Sequence, residues 1–155
     1  MPASRRRSLA YDAAMRHDLN DPIIQDLLRE PAPATLTTYR KDGEAVTSPV
    51  WFQVVDGVAE VVIALGDPKI GQLERDARCQ LVIFDAVPPF RAVRARGRAT
   101  LEPDDDAVVR RAVASRYLGP DRGRAYAEGA RRAPGFVMRL PLDDVQAWDL
   151  AAKLP

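Results

Sequence analysis

The chain has 155 residues, 46% of them hydrophobic and 29% charged, a composition and length that suit one globular domain. Lys+Arg 23 against Asp+Glu 22 leaves a formal charge of +1, which gives no basic field for nucleic acid. A single cysteine, Cys79, excludes an internal disulfide framework, and a single histidine, His17, excludes multi-histidine metal sites.

No apolar run reaches the ~18–20 residues of a membrane span. The opening MPASRRRSLA carries arginines with no apolar stretch behind them, unlike a secretory leader. The expectation is a soluble, cytoplasmic domain over residues 19–155, preceded by a polar lead-in over 1–18. His17 stands in a polar segment and reads as a solvated residue. Cys79 lies in the strand-like run Arg78–Phe84 and reads as a small core hydrophobe. With no Walker loop, no G-x-G-x-x-G and no zincin motif, and no metal site, enzyme chemistry here would rest on a bound cofactor.

In chain order, Asp21-Pro22 looks like a helix cap followed by proline in the first turn. Ile23, Ile24, Leu27 and Leu28 then share one helical face, and Pro31 and Pro33 stop the helix. Ala34–Arg40, Glu44–Val55 and Val58–Leu65 read as a meander of three antiparallel strands. Their turns are Lys41-Asp42-Gly43 and Asp56-Gly57. Pro49 inside the second strand points to a bulge or a sheet edge. Asp67-Pro68 repeats the cap-and-proline signature and opens a helix to Asp76. Arg78–Asp85 is a fourth strand and Phe90–Leu101 a long fifth one.

That fifth strand places Val93, Ala95, Gly97, Ala99 and Leu101 on one face and Arg94, Arg96 and Arg98 on the other. The arginines either bind a polyanionic tail or form a solvated face paired with acids of a neighbouring strand. Pro103–Asp106 puts acids at the start of a helix that continues through Val108, Val109, Ala112, Val113 and Tyr117 to Gly119-Pro120. A short helix over Arg122–Arg132, a strand over Gly135–Leu140 and an edge segment over Asp144–Leu150 complete the chain. Six or seven short antiparallel strands with helices between them favour a mainly β, α+β barrel flanked by helices. The interior of so small a barrel is filled by side chains. A ligand would therefore sit outside it, best enclosed by a second subunit.

Four segments carry a resemblance. Ala34–Gly43 with Thr47-Ser48-Pro49-Val50-Trp51-Phe52 resembles the opening hairpin of the pyridoxamine 5′-phosphate oxidase-like split-barrel proteins. Lys69–Arg78 is similar to that family's K-x-x-N-L-x-R-D-x-R helix, and Arg96-Gly97-Arg98-Ala99 to its V-x-G-R-A strand. Val137–Pro141 followed by Val145–Trp148 fits its ending. Within the family, the small actinobacterial flavin/deazaflavin oxidoreductases are most similar. The twenty arginines against three lysines suit the GC-rich genomes in which the deazaflavin occurs.

The resemblance implies a homodimer of six- to seven-stranded split barrels with FMN or the deazaflavin coenzyme F-420 at the subunit interface. It implies hydride transfer to a small unsaturated or quinone-like substrate. A non-catalytic flavin, deazaflavin or haem carrier on the same fold is the alternative. By the same resemblance, Pro49, Val50 and Trp51 run alongside the ring and Ala64 and Leu65 approach it. Lys69 meets the phosphate at a helix N-terminus, where free N–H groups favour an anion. Gln72 stands where the family has asparagine. The loop Ala64–Pro68 lacks the family's hydroxyl, and Asp67 occupies the place of a basic residue. Trp51 and Trp148 read equally as packing residues. No side chain stands out as a catalytic acid or base, and position supports neither Tyr39 nor Tyr117 as a proton donor. The deazaflavin is favoured over FMN because its glutamate tail suits Arg94, Arg96, Arg98 or the N-terminal arginines.

Overall fold

The computed structural model describes residues 15–16, 18–130 and 133–155. The readings made for His17 and the arginines at positions 5–7 fall outside these residues. Helix α1 (Pro22–Arg29) begins where Asp21 accepts a hydrogen bond from the Ile23 N–H at 2.9 Å. Proline follows the cap, where its missing N–H costs nothing. The helix buries Ile24, Leu27 and Leu28.

Strand β1 (Ala34–Tyr39) sends Ala34, Leu36 and Thr38 inward and turns at Gly43, whose φ of 88° suits glycine, into β2 (Ala45–Val50). β2 is the edge of its sheet, which is where a strand proline such as Pro49 is tolerated. After Val50 the chain leaves that sheet. Trp51 stays 37% exposed while Phe52 is fully buried, and β3 (Gln53–Val55) pairs instead with β4 (Val58–Ile63) in a second sheet. The expected three-stranded meander is thus two hairpins in two sheets, because the long second strand breaks at Trp51–Phe52.

Helix α2 (Pro68–Arg75) returns the chain to the first sheet at β5 (Arg78–Phe84). The expected fifth strand also breaks. β6 (Ala92–Arg98) pairs with β5, whereas β7 (Thr100–Pro103) joins the second sheet beside β8 (Phe136–Pro141). β9 (Asp144–Trp148) pairs back onto β6. The result is an α+β split barrel of two antiparallel sheets, ordered β2-β1-β5-β6-β9 and β3-β4-β8-β7, which do not close on each other. Among the described residues nine strands stand where six or seven were expected, the excess arising from the two breaks. Leu36, Leu81, Ile83 and Val93 of one sheet meet Val61, Met138 and Leu140 of the other in the core.

On the outer face of β6, Arg94 donates to Gln146 and Arg96 lies 3.6 Å from Asp144, both on β9. Arg96 takes the solvated reading paired with an acid, whereas Arg94 is half-buried and meets a glutamine. Burial pushes the Cys79 thiol up to about 11, so it stays protonated and unreactive near neutrality.

Helices α3 (Val108–Leu118) and α4 (Pro120–Ala130) form a hairpin through Gly119. The two carboxylate oxygens of Asp104 accept from the N–H groups of Val109 and Arg110 at 3.1 and 2.9 Å, setting the start of α3. Asp106 and Ala107, with φ of 60° and 55°, make the sharp entry. Among the described residues no helix is long and apolar enough to cross a membrane.

The hairpin depends on Gly123, where a Cβ would fall 2.4 Å from the Ser115 Cα. Gly123→Ala should destabilise the protein by about 1–3 kcal/mol, as overpacking does. Gly129, with nothing within 4 Å, lies in the same helix. Gly129→Ala should be neutral or stabilise by up to about 1 kcal/mol through helix propensity. Urea unfolding of the two variants checks both signs.

Candidate functional site

A cleft of about 750 Å³ opens where the ends of β2 and β4 meet the first turn of α2 and the α3–α4 hairpin. Pro49, Val50 and Trp51 form one wall, Val62, Ile63 and Ala64 a second, and Asp67 and Lys69 stand at one end. Val113, Ala114 and Tyr117 of α3 also line the cleft, as does Tyr126 of α4.

Trp51 lies in the cleft wall because β2 ends there. Its ring stacks on Tyr117 at 5.2 Å and 12°, and Tyr126 tilts against it at 5.6 Å and 52°. The Tyr117 hydroxyl donates to the Ala32 carbonyl at 2.9 Å and accepts from the Phe52 N–H at 3.4 Å. Burial raises the pKa of this phenol, and both of its hydrogen-bonding directions are already used. Tyr117 therefore shapes the wall and is a poor proton donor. Tyr39 is elsewhere, under the Arg78 guanidinium at 5.0 Å and beside a separate arginine-lined groove.

The charged end of the cleft is built by α2. Asp67 caps the helix by accepting from the Lys69 N–H at 2.9 Å, and the Lys69 Nζ returns to both its oxygens at 3.1 and 3.3 Å. Both side chains are largely buried. The helix N-terminus and the lysine charge thus already have an anion, which is the chain's own carboxylate.

A second cation faces the same cleft. Arg110 is 8% exposed and lines it from the first turn of α3. Gly135 makes room for it. A Cβ there would come 2.1 Å from the Ile63 carbonyl and 2.5 Å from an Arg110 guanidinium nitrogen.

Of the residues singled out from sequence, Pro49, Val50, Trp51, Ala64 and Lys69 come together on this cleft. Leu65 does not line it and points to solvent, 60% exposed. Gln72 is buried one turn further along α2, where it accepts from the Thr38 hydroxyl at 2.6 Å and ties α2 to β1. Trp148, on β9, pairs with Ala92 of β6, away from the cleft. Sequence reasoning missed Arg110 and Tyr126. Tyr117 showed as part of an apolar helix face and as a proton donor that position did not support.

With the geometry in hand, the family follows. A profile of the pyridoxamine 5′-phosphate oxidase family matches residues 21–149, and the chain belongs to that family. No curated protein matches the sequence. Among solved structures it is similar to the conserved hypothetical protein Rv2991 from Mycobacterium tuberculosis. The identity is 24% over 90% of this chain and 91% of that one, with a TM-score of 0.73. The flavocytochrome Anf3 from Azotobacter vinelandii matches at 16% identity over 90% and 70% of the two chains, with a TM-score of 0.66. An F420 reductase matches at 21% identity over 74% and 90%, with a TM-score of 0.60. At these identities the likeness establishes a shared fold.

Asp67 offers a direct test of the site's local architecture. Asp67→Ala and Asp67→Asn both lose the Lys69 ion pair, but Asp67→Asn keeps a capping oxygen and should be the more stable of the two by about 1 kcal/mol. Thermal unfolding of the pair measures the difference.

Proposed function

We propose that this protein is an oxidoreductase that holds a flavin-type cofactor, FMN or coenzyme F-420, in the cleft and serves hydride transfer to a small unsaturated or quinone-like substrate. The observation that carries the reading is the cleft itself: ring-sized, largely apolar, and edged by the exposed backbone at the end of β2. The names of the flavocytochrome and the F420 reductase that share the fold support it.

The residues fit the ring part of such a molecule. Trp51, Tyr117 and the aliphatic ends of β4 present flat apolar surface, and the Pro49–Trp51 backbone presents polar groups to a ring edge. They fit a phosphate at the α2 N-terminus poorly, because Asp67 holds that place and neutralises Lys69. When bound, the cofactor supplies the two-electron chemistry. The protein's part is to orient the ring against the Trp51–Tyr117 wall and to exclude water. A second copy of the chain completes the open side of the cleft, beside the exposed Trp51 and Tyr126.

The carrier reading keeps the same site without turnover. It is favoured by the engagement of two of the acidic groups on the cleft walls, since Asp67 is ion-paired and Tyr117 fully bonded. Among the described residues no histidine, cysteine or methionine lines the cleft to ligate a haem.

Titration with FMN and, separately, coenzyme F-420, followed by ring fluorescence, should show saturable micromolar binding of one of them. The reduced complex should then pass its electrons to a quinone faster than free cofactor does. Binding without that acceleration would establish the carrier reading, and no binding of either would remove the cofactor reading.

A further inference from the structure

We propose that Arg110 is the anion anchor of the cleft, and that the molecule occupying it carries a carboxylate or phosphate group bonded to this guanidinium rather than to the N-terminus of α2. Arg110 is 8% exposed, yet among the described residues its guanidinium makes no hydrogen bond and no ion pair; only its backbone N–H is engaged, by Asp104.

The guanidinium nitrogens of Arg110 are not among the enclosed, unpartnered side-chain atoms, so its donors open onto the cleft, where an oxyanion can meet them. Among the described residues no hydrogen bond or ion pair joins a carboxylate to this guanidinium. Asp104 uses both oxygens on the N–H groups of Val109 and Arg110, and Asp67 is closed on Lys69. The cleft lining therefore holds one paired cation and one unpaired one, a surplus of a single positive charge facing an otherwise apolar space. Gly135 leaves the volume in which the guanidinium sits. A planar fork of N–H donors suits an oxyanion, to which it can donate two parallel bonds.

The anion can be the phosphate of a flavin or the carboxylate of a second molecule beside it. The inference shares the cleft with the reading above but does not depend on which ring fills it.

Calorimetric titrations of the wild type and R110M separate these cases, using FMN against riboflavin and benzoate against benzamide. Each pair differs in its anionic group. The expected result is a loss of at least tenfold in the affinity of one anionic probe on R110M, with its neutral counterpart changed less than twofold. R110K, which keeps the charge without the fork, should fall between. Loss confined to FMN places the anion on the flavin, and loss confined to benzoate places it on a second molecule. Either supports the proposal. If no flavin binds the wild type, the FMN form of the cofactor reading falls and the benzoate pair alone decides. Equal affinities of wild type and R110M for both anions would overturn the proposal. The ligand-free R110M protein should melt at or above the wild-type temperature, since it loses no hydrogen bond and no ion pair. A lower melting temperature would contradict the unpaired state on which the inference rests.

Discussion

The Tyr117 hydroxyl is the joint on which the cleft depends. By donating to Ala32 and accepting from Phe52 it holds three pieces of chain together: the segment between α1 and β1, the point where the chain changes sheets, and helix α3. Phe52 is fully buried beside it, so Trp51 must face the other way and lie along the Tyr117 ring. Arg116, one residue before Tyr117, reinforces the joint by donating to the Leu28 and Glu30 carbonyls while its guanidinium lies 5.1 Å from the Phe52 ring. A buried phenol with both directions satisfied is worth more than either bond alone, because an unmet buried N–H or carbonyl costs more than a made bond gains. The aromatic wall is a consequence of how the backbone is tied.

The electrostatics of the cleft divide along the same frame. At α2 the positive helix end, the lysine and the capping carboxylate form a closed set. At α3 the capping carboxylate is engaged with the helix backbone alone, and the arginine that follows is left over. An aspartate meets each helix start, Asp67 as the N-cap of α2 and Asp104 from three residues before the N-cap of α3, but only Lys69 folds its side chain back onto that carboxylate. Two similar local devices thus leave different charges exposed to one cavity.

Much of this was legible in the sequence where the determinant is local. Asp21-Pro22 and Asp67-Pro68 start helices, Asp56-Gly57 makes a hairpin turn, and the alternation through Val93, Ala95 and Gly97 sorts the faces of β6, all within a few residues. The breaks at Trp51–Phe52 and Ala99 were not legible. The chain stays extended through both, and what changes is which neighbouring strand supplies the hydrogen bonds. For the same reason Pro49–Trp51, Ala64 and Lys69 could be placed on one cleft by resemblance, whereas Leu65 and Gln72 follow local strand and helix phase away from it. Arg110 gave no signal at all. It is one of twenty arginines and stands next to Arg111, which is exposed, and only the docking of α3 decides which of the two is buried.

The central claim is that a flat cofactor ring lies against Trp51. The chain has two tryptophans, so Trp148→Phe leaves Trp51 as the sole indole. Titrating that variant with FMN or coenzyme F-420 should quench Trp51 emission with the same saturation curve as the ring signal. A ring signal that saturates while Trp51 emission stays unchanged would place the cofactor elsewhere and contradict the account.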